Sequence, residues 1–246
     1  MERRSLVPLA AAIVIATAVA SVAWVSVKTA SHASIDVTGS AKRRIVSDLI
    51  EWDAGLEVRH ADRVEATRAL KKQVEKTLAY LKAQGLKDDE IRVSSVTMDE
   101  AHETEIVGSG DARVERTVLK GFDAAQTVSV RSTDVARVER ISREVTSLLE
   151  EGVPVVSGQP QYLYTKLGEL KIEMLAEASR DARTRAIKMI ESAGSDARVG
   201  PLVNVDMGVI NVNPANSTST NWQGNNDTSS LEKDIITIVH VKYRID

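Results

Sequence analysis

Four histidines, one acidic triplet and one glycine-flanked turn are the places where this chain could hold reactive or metal-binding chemistry. His32, His60, His102 and His240 are scattered, with no i,i+4 pair and no HExxH spacing. No two of them share a helix face as a zinc pair would. Exposed positions in loops or at strand ends suit them better. Asp88, Asp89 and Glu90 could bind a cation. A calcium loop, however, needs oxygen ligands at regular intervals around a central glycine, and a solvated turn ahead of a strand is the simpler account. Gly108-Ser109-Gly110-Asp111 has the composition of a phosphate loop, which would require a strand before it and a helix after it. The next segments, Val114–Val118 and Phe122–Val130, are β-rich, so the glycine pair reads as a hairpin turn. Lys42, Arg43 and Arg44 could touch anionic lipid. They fit better as ordinary surface charge on a hairpin. Asn216-Ser-Thr and Asn226-Asp-Thr match a glycosylation triplet by chance in a polar stretch. No Ser/His/Asp order or paired-carboxylate motif stands out, so no catalytic, cofactor or metal residue is assigned.

Composition narrows the classes further. The chain has 246 residues, 43% of them hydrophobic and 27% charged, enough for a packed core. It has no cysteine, which removes thiol catalysis, Cys-ligated zinc, Fe–S clusters and disulfides. Aromatics are only 3% and the formal charge is -3. Neither base-stacking platforms nor a basic footprint for nucleic acid is present.

The N-terminal segment reads as an element of its own. Ser5–Val27 is a run of 23 uncharged residues, bounded by Arg3 and Arg4 on one side and Lys28 on the other. A membrane-spanning helix needs about 20 apolar residues, whereas the apolar part of a signal peptide is usually about 7–15. The run continues past the cleavage-like Ala18-Val19-Ala20, and Trp24 suits an interfacial position. Residues 1–28 are therefore expected to anchor the chain in a membrane. Arg3 and Arg4 would hold the N-terminus in the cytoplasm. Cleavage and release of the exported part is the alternative. The remainder keeps 29 basic against 34 acidic side chains.

The rest alternates strands with long helices. Ile35–Gly39 reads as a short strand ending in a turn, and Leu49–Val58 as a second, with Gly55 suggesting a bulge or close approach. Asp62 caps a helix to about Gln84, with Leu70, Val74, Leu78 and Leu81 as its apolar stripe and Gly85 as its stop. Strands begin at Ile91 and cover Thr127–Val130. Ser132, Thr133 and Asp134 offer caps for a second helix whose stripe is Val135, Val138, Ile141, Val145 and Leu148. After a strand at Tyr162–Tyr164, a third helix runs from about Leu167 to Ala193. Its stripe of Leu175, Ala178, Ala182, Ala186, Met189 and Ala193 is mostly alanine, which lets a helix approach a sheet closely. Val203–Val212 is a strand, residues 213–232 read as a flexible loop holding the exposed Trp222, and Ile235–Ile245 alternates cleanly. The expected class is α+β, long helices packed on mixed or antiparallel sheets, as one domain over residues 29–246.

Several of these segments together resemble the SIMPL domain. They are Ile35–Gly39, Ser47–Ile50, Ala83–Ile91, Lys120–Ala124, Gln126–Val130, Ala176–Ala178 with Asp181–Ala186, and Lys233–Val241 followed by Tyr243. The resemblance covers about residues 34–246, and the apolar start with Asp48–Trp52 looks most like the family's membrane-anchored branch. Ser47 departs from the usual proline at its position. The resemblance implies a bacterial envelope protein of α+β fold. Its relatives include a periplasmic antigen that forms a ring-like oligomer and proteins linked to oxidative-stress tolerance. It carries over no catalytic residue.

Three functions are then weighed. The first is a non-enzymatic, membrane-anchored protein that self-associates as a homo-oligomer, with Trp222 at a candidate contact. The second is a module that binds a small ligand or peptide. The third is a hydrolase, which would need Asp48, His60 or His240 gathered in one cleft.

Overall fold

A computed structural model describes residues 33–107 and 113–246. The expected anchor, with Arg3, Arg4, Trp24 and Lys28, lies outside the described residues, as does His32. No helix among the described residues is long and apolar enough to cross a membrane.

The fold is mixed α+β, with three α-helices among the described residues. In chain order the elements are β1 (Ser34–Val46), β2 (Leu49–His60), α1 (Arg63–Ala83), β3 (Ile91–Val93), β4 (Thr97–Val107), β5 (Val114–Ser132), α2 (Val135–Glu144), β6 (Val155–Ser157), β7 (Gln161–Leu163), α3 (Leu167–Ser192), β8 (Val199–Pro214), β9 (Asn225–Asn226) and β10 (Glu232–Ile245). One sheet has the order β1-β10-β8-β9. The other has the order β3-β5-β2-β6, with β4 on β5 and β7 on β2. Contacts divide the chain into two compact units. Among the described residues the first holds 33–42, Ile172–Ile210 and Thr237–Asp246; the second holds those of Arg43–Lys171 and Asn211–Ile236.

The second unit owes its core to strand parity. Ile50, Trp52, Ala54 and Leu56 occupy alternate positions of β2 and are all buried. Successive strand side chains point to opposite faces, so one face of β2 is apolar throughout. α1 packs on β2 and β5 and delivers Ala66, Leu70, Val74 and Leu81 to that face. Asp62 caps α1 as expected, accepting from the Val64 and Glu65 amides at 2.8 and 3.0 Å. α2 adds Val138 and Ile141. Trp52 is 2% exposed, yet its indole N–H is satisfied by the Ser157 hydroxyl at 3.0 Å, which in turn donates to the Ser142 carbonyl at 2.7 Å.

Several sequence expectations change in detail. Gly55 makes no bulge, because β2 and β5 keep unbroken register from Ile50↔Ser132 to His60↔Phe122. The irregularity falls instead between Ala101 and His102, where Ala101 faces Gly121 and His102 faces Leu119. Lys120 is the extra residue. Gly121 beside it has φ 153°, and a Cβ there would lie 2.5 Å from the His60 carbonyl oxygen. The two β-rich segments after the glycine turn are one strand, β5, and β4 pairs with it out to Val107↔Val114. The turn itself, residues 108–112, lies outside the described residues. The second helix is α-helical only to Glu144 and tightens into a 3₁₀ turn over Val145–Leu149.

The first unit is built on a close crossing. β1 does not turn at Gly39 but continues to Val46, so Lys42, Arg43 and Arg44 are strand residues rather than hairpin charges. Gly39 is where α3 passes. A Cβ there would collide with the Ala178 carbonyl oxygen and stand 2.5 Å from the Ala182 nitrogen. The buried face of α3 in this unit is Met174, Ala178, Ala182, Ala186 and Ile190. The three alanines lie on the face the sequence assigns them. The ends of the stripe, however, are Met174 and Ile190, whereas Met189 is 54% exposed and Ala193 is exposed. A strict four-residue spacing follows the inclined ridge by which helices settle into grooves. On the facing sheet, Val37 and Ala41 of β1 and Thr237, Val239, Val241 and Tyr243 of β10 are buried.

Candidate functional site

Within the second unit the histidine and carboxylate candidates do not assemble. Asp48 and His60 bracket β2, and 12 residues of strand separate such positions by roughly 40 Å. Asp48 is committed to Thr165, accepting from its amide and its hydroxyl, both at 2.7 Å. Burial pushes its carboxyl up, but the Thr165 bonds outweigh that and hold it below the usual range. His60 accepts from the Asp62 amide, His102 is exposed on β4, and His240 lies exposed in the first unit against the Thr38 hydroxyl at 2.9 Å. Asp88–Glu90 forms a 3₁₀ turn before β3 in which Glu90 is bound by the Ser132 hydroxyl. Among the described residues no three His, Cys, Asp or Glu side chains are grouped to hold a metal ion.

Sequence reasoning misses a set of buried charges in the second unit. Residues 213–232 are more ordered than the loop their composition suggests. β8 runs to Pro214, β10 begins at Glu232, and β9 pairs in parallel with Asn211 and Val212. Asp227 of this segment and Lys233, the second residue of β10, form an ion pair with side chains only 2% (Lys233) and 7% (Asp227) exposed. The Lys233 ammonium donates to the Asp227 backbone carbonyl at 2.5 Å and lies 3.4 Å from its carboxylate. Asp227 also accepts from the Ser229 amide and hydroxyl at 2.9 and 2.7 Å. Burial alone would raise the Asp227 carboxyl; the Ser229 and Ser230 hydrogen bonds and the Lys233 charge bring it down to about 2. Burial works against the Lys233 ammonium and lowers it, with Asp227 opposing.

A second buried charge sits next in sequence. Asp234 is 1% exposed and accepts from Arg44 at 2.9 and 3.1 Å and from the Asn216 amide at 2.8 Å. Arg44 also donates to the Asn216 side-chain oxygen, and Asn216 takes φ 68°. Ser47 donates its N–H to the Leu231 carbonyl at 2.9 Å, a bond proline cannot make, and so adds a tie to the segment before β10. The signal for Lys233 is present in the sequence. It has the parity of Ile235, Thr237, Val239 and Val241, so period-2 alternation places an ammonium on the buried face of β10.

Two cavities open in the second unit. One, of about 380 Å³, is lined by Glu51, Asp53, Asp89, Glu90, Arg92 and Arg131 among others. Its carboxylates already have partners at Glu90, which binds Ser132, and Glu51, which lies 3.4 Å from Arg131. The other, of about 350 Å³, has Lys233 and Asp227 in its wall beside Ile45, Leu49, Tyr162 and Val212. Both are at the small end of ligand pockets, which span roughly 300–1,000 Å³. Trp222 lines neither of them and is 83% exposed.

A different kind of surface lies on β8 in the first unit. β9 pairs only with Asn211 and Val212, so residues 199–210 have one edge without a strand partner among the described residues. Val203, Val205, Met207 and Val209 alternate along this edge strand and are 58%, 44%, 67% and 37% exposed. Pro201 blunts its start, and Asp206 is the sole charge between Gly200 and Ile210.

No curated protein matches the chain. A family model described as SIMPL, protein of unknown function (DUF541), matches residues 35–236. That span runs from β1 into the start of β10 and takes in the three α-helices of the described residues and the buried Asp227, Lys233 and Asp234, and the chain belongs to the SIMPL family.

Proposed function

We propose that this is a non-enzymatic envelope protein, held to the bacterial inner membrane by residues 1–28, whose folded part self-associates into a homo-oligomer. The observation that carries this reading is the open edge of β8. Natural sheets guard their edges with lysines, prolines, bulges or a covering element, because an exposed apolar edge pairs with another chain. After Pro201 this edge has one charge in nine residues and a one-sided row of Val203, Val205, Met207 and Val209. Pairing with a copy of itself would satisfy the free backbone groups and remove that row from water. The anchor is supported by the length and flanking charges of Ser5–Val27.

Native mass spectrometry of the full chain, extracted in detergent, tests the proposal. A discrete oligomer is expected for the natural sequence, and Val205→Lys with Met207→Lys should reduce it to monomer. A monomeric natural protein, or an oligomer untouched by both lysines, overturns the reading. Trp222→Ala, measured alongside, should weaken assembly if the exposed indole is a further contact; an unchanged mass removes that loop from the interface.

A further inference from the structure

We propose that the cavity of about 350 Å³ beside Lys233 is a binding site for a small monocarboxylate with an apolar body. Three observations converge on that class. The first is an unspent donor. Lys233 is 2% exposed and has three N–H groups, while the described residues supply two acceptors, both from Asp227. The ammonium is held by Asp227 and keeps capacity for one further acceptor, which an incoming oxygen would fill.

The second observation is charge. The charged side chains lining the cavity are Lys233, Arg131 and Asp227. Asp227 is already engaged by Lys233 and by two bonds from Ser229. The lining alone carries one positive charge in excess, and Glu51, outside the lining but 3.4 Å from Arg131, offsets part of it, so the cavity suits one carboxylate and not a dianion. Arg131 lines the same cavity. Its side chain is 67% exposed and its ion pair with Glu51 spans 3.4 Å, which leaves guanidinium donors for a planar, two-oxygen acceptor. The third observation is the apolar wall. Ile45, Leu49 and Val212 line the same cavity. They would take a ring or short chain out of water at about 25 cal/mol per Å². The small volume argues for a compact body rather than a long acyl chain.

The site stands apart from the assembly reading. All its lining residues belong to the second unit, whereas the open edge of β8 belongs to the first. Failure of one leaves the other untouched.

Isothermal titration of the full chain with sodium benzoate, with the detergent blank subtracted, tests the site. Benzamide serves as the neutral isostere. Saturable benzoate binding is expected, with benzamide at least about tenfold weaker, since the charge-assisted bonds are lost. Arg131→Gln should weaken benzoate by about tenfold while leaving the far-UV circular dichroism unchanged, because Arg131 is a largely exposed strand residue. Lys233→Met should abolish binding, but it removes a buried charge partner, so Arg131→Gln is the decisive variant should that protein fail to fold. Equal affinity for benzoate and benzamide, no saturable heat with benzoate, or an unaltered affinity in Arg131→Gln overturns the proposal.

Discussion

The crossing of α3 over β1 and the buried charges at the start of β10 and in the segment before it solve the same problem, bringing backbone segments close together, by opposite means. At the crossing the contact is made by small groups. Gly39 contributes no Cβ, Ala178 and Ala182 contribute one carbon each, and the backbones meet within van der Waals range. The side chains of Lys233 and Asp234 at the start of β10, and of Asp227 before it, are nearly inaccessible, and each is tied to backbone groups of the segment around it. Small side chains thus hold two regular elements against each other, whereas an irregular segment needs directional bonds. A stretch rich in Asn, Ser and Thr has little apolar surface to bury. Charge-assisted hydrogen bonds are what can fix it.

Breaking the ion pair should have the largest effect. Lys233→Met leaves the Asp227 carboxylate buried without its counter-charge, and a buried pair broken on one side costs about 3–5 kcal/mol. Urea unfolding checks this. Adding Asp227→Leu should recover most of the loss, because an apolar pair of similar volume replaces a buried ion pair at little cost. If the double variant is as unstable as the single one, the bonds from Asp227 to Ser229 matter more than the charge. The crossing should respond next. Gly39→Val places carbon on the Ala178 carbonyl oxygen and should cost about 3 kcal/mol or more. A loss of stability below about 0.5 kcal/mol would show that α3 can lift from β1 without penalty.

Acid sharpens the contrast with a smaller effect. Asp227 titrates at about 2 in the folded chain against an ordinary 3.8. Its folded value is the lower one, so the unfolded state takes up the proton first. The stabilisation is fully present above the ordinary value and disappears as pH falls through about 2. The amount is about 2 kcal/mol. Lys233 keeps its proton throughout that window, so the acid slope belongs to carboxylates. Unfolding midpoints measured on either side of about pH 4 should fall less steeply in Asp227→Asn than in the natural chain. Identical slopes would mean that Asp227 is not held ionised by its surroundings.

The same contrast explains what is legible in the sequence. The three helices, the Asp62 cap and the glycine stop at Gly85, which takes φ 88°, come from local rules and stand where those rules put them. Alanines at four-residue spacing announce the close approach of α3. Their partner Gly39 resembles a turn residue, because a glycine that makes room for a helix and one that bends the chain look alike in sequence. The three alanines of the α3 stripe stand on the expected face, and only its ends shift, to Met174 in place of Leu175 and Ile190 in place of Met189, since those neighbours are similarly apolar and only packing chooses between them. Lys233 and Asp234 resemble the charged lead-in to a strand. For Lys233 parity argues for burial against composition and is the better guide; Asp234 has the opposite parity, and its burial comes from its bonds to Arg44 and Asn216.

The pairing of β1 with β10 bears on the order of events during folding. Residues 34–46 lie beside residues 232–245, with nearly the whole described chain between them. Closing a loop of that length costs on the order of 5 kcal/mol of chain entropy before any contact repays it. Antiparallel neighbours such as β4 and β5 close far shorter loops and can form early. A chain delivered from its N-terminus must therefore hold β1 without its neighbour until β10 arrives. Through that interval β1 and β8 present bare strands, and the first unit is the part of the molecule most exposed to chaperones, proteases and premature pairing with other copies.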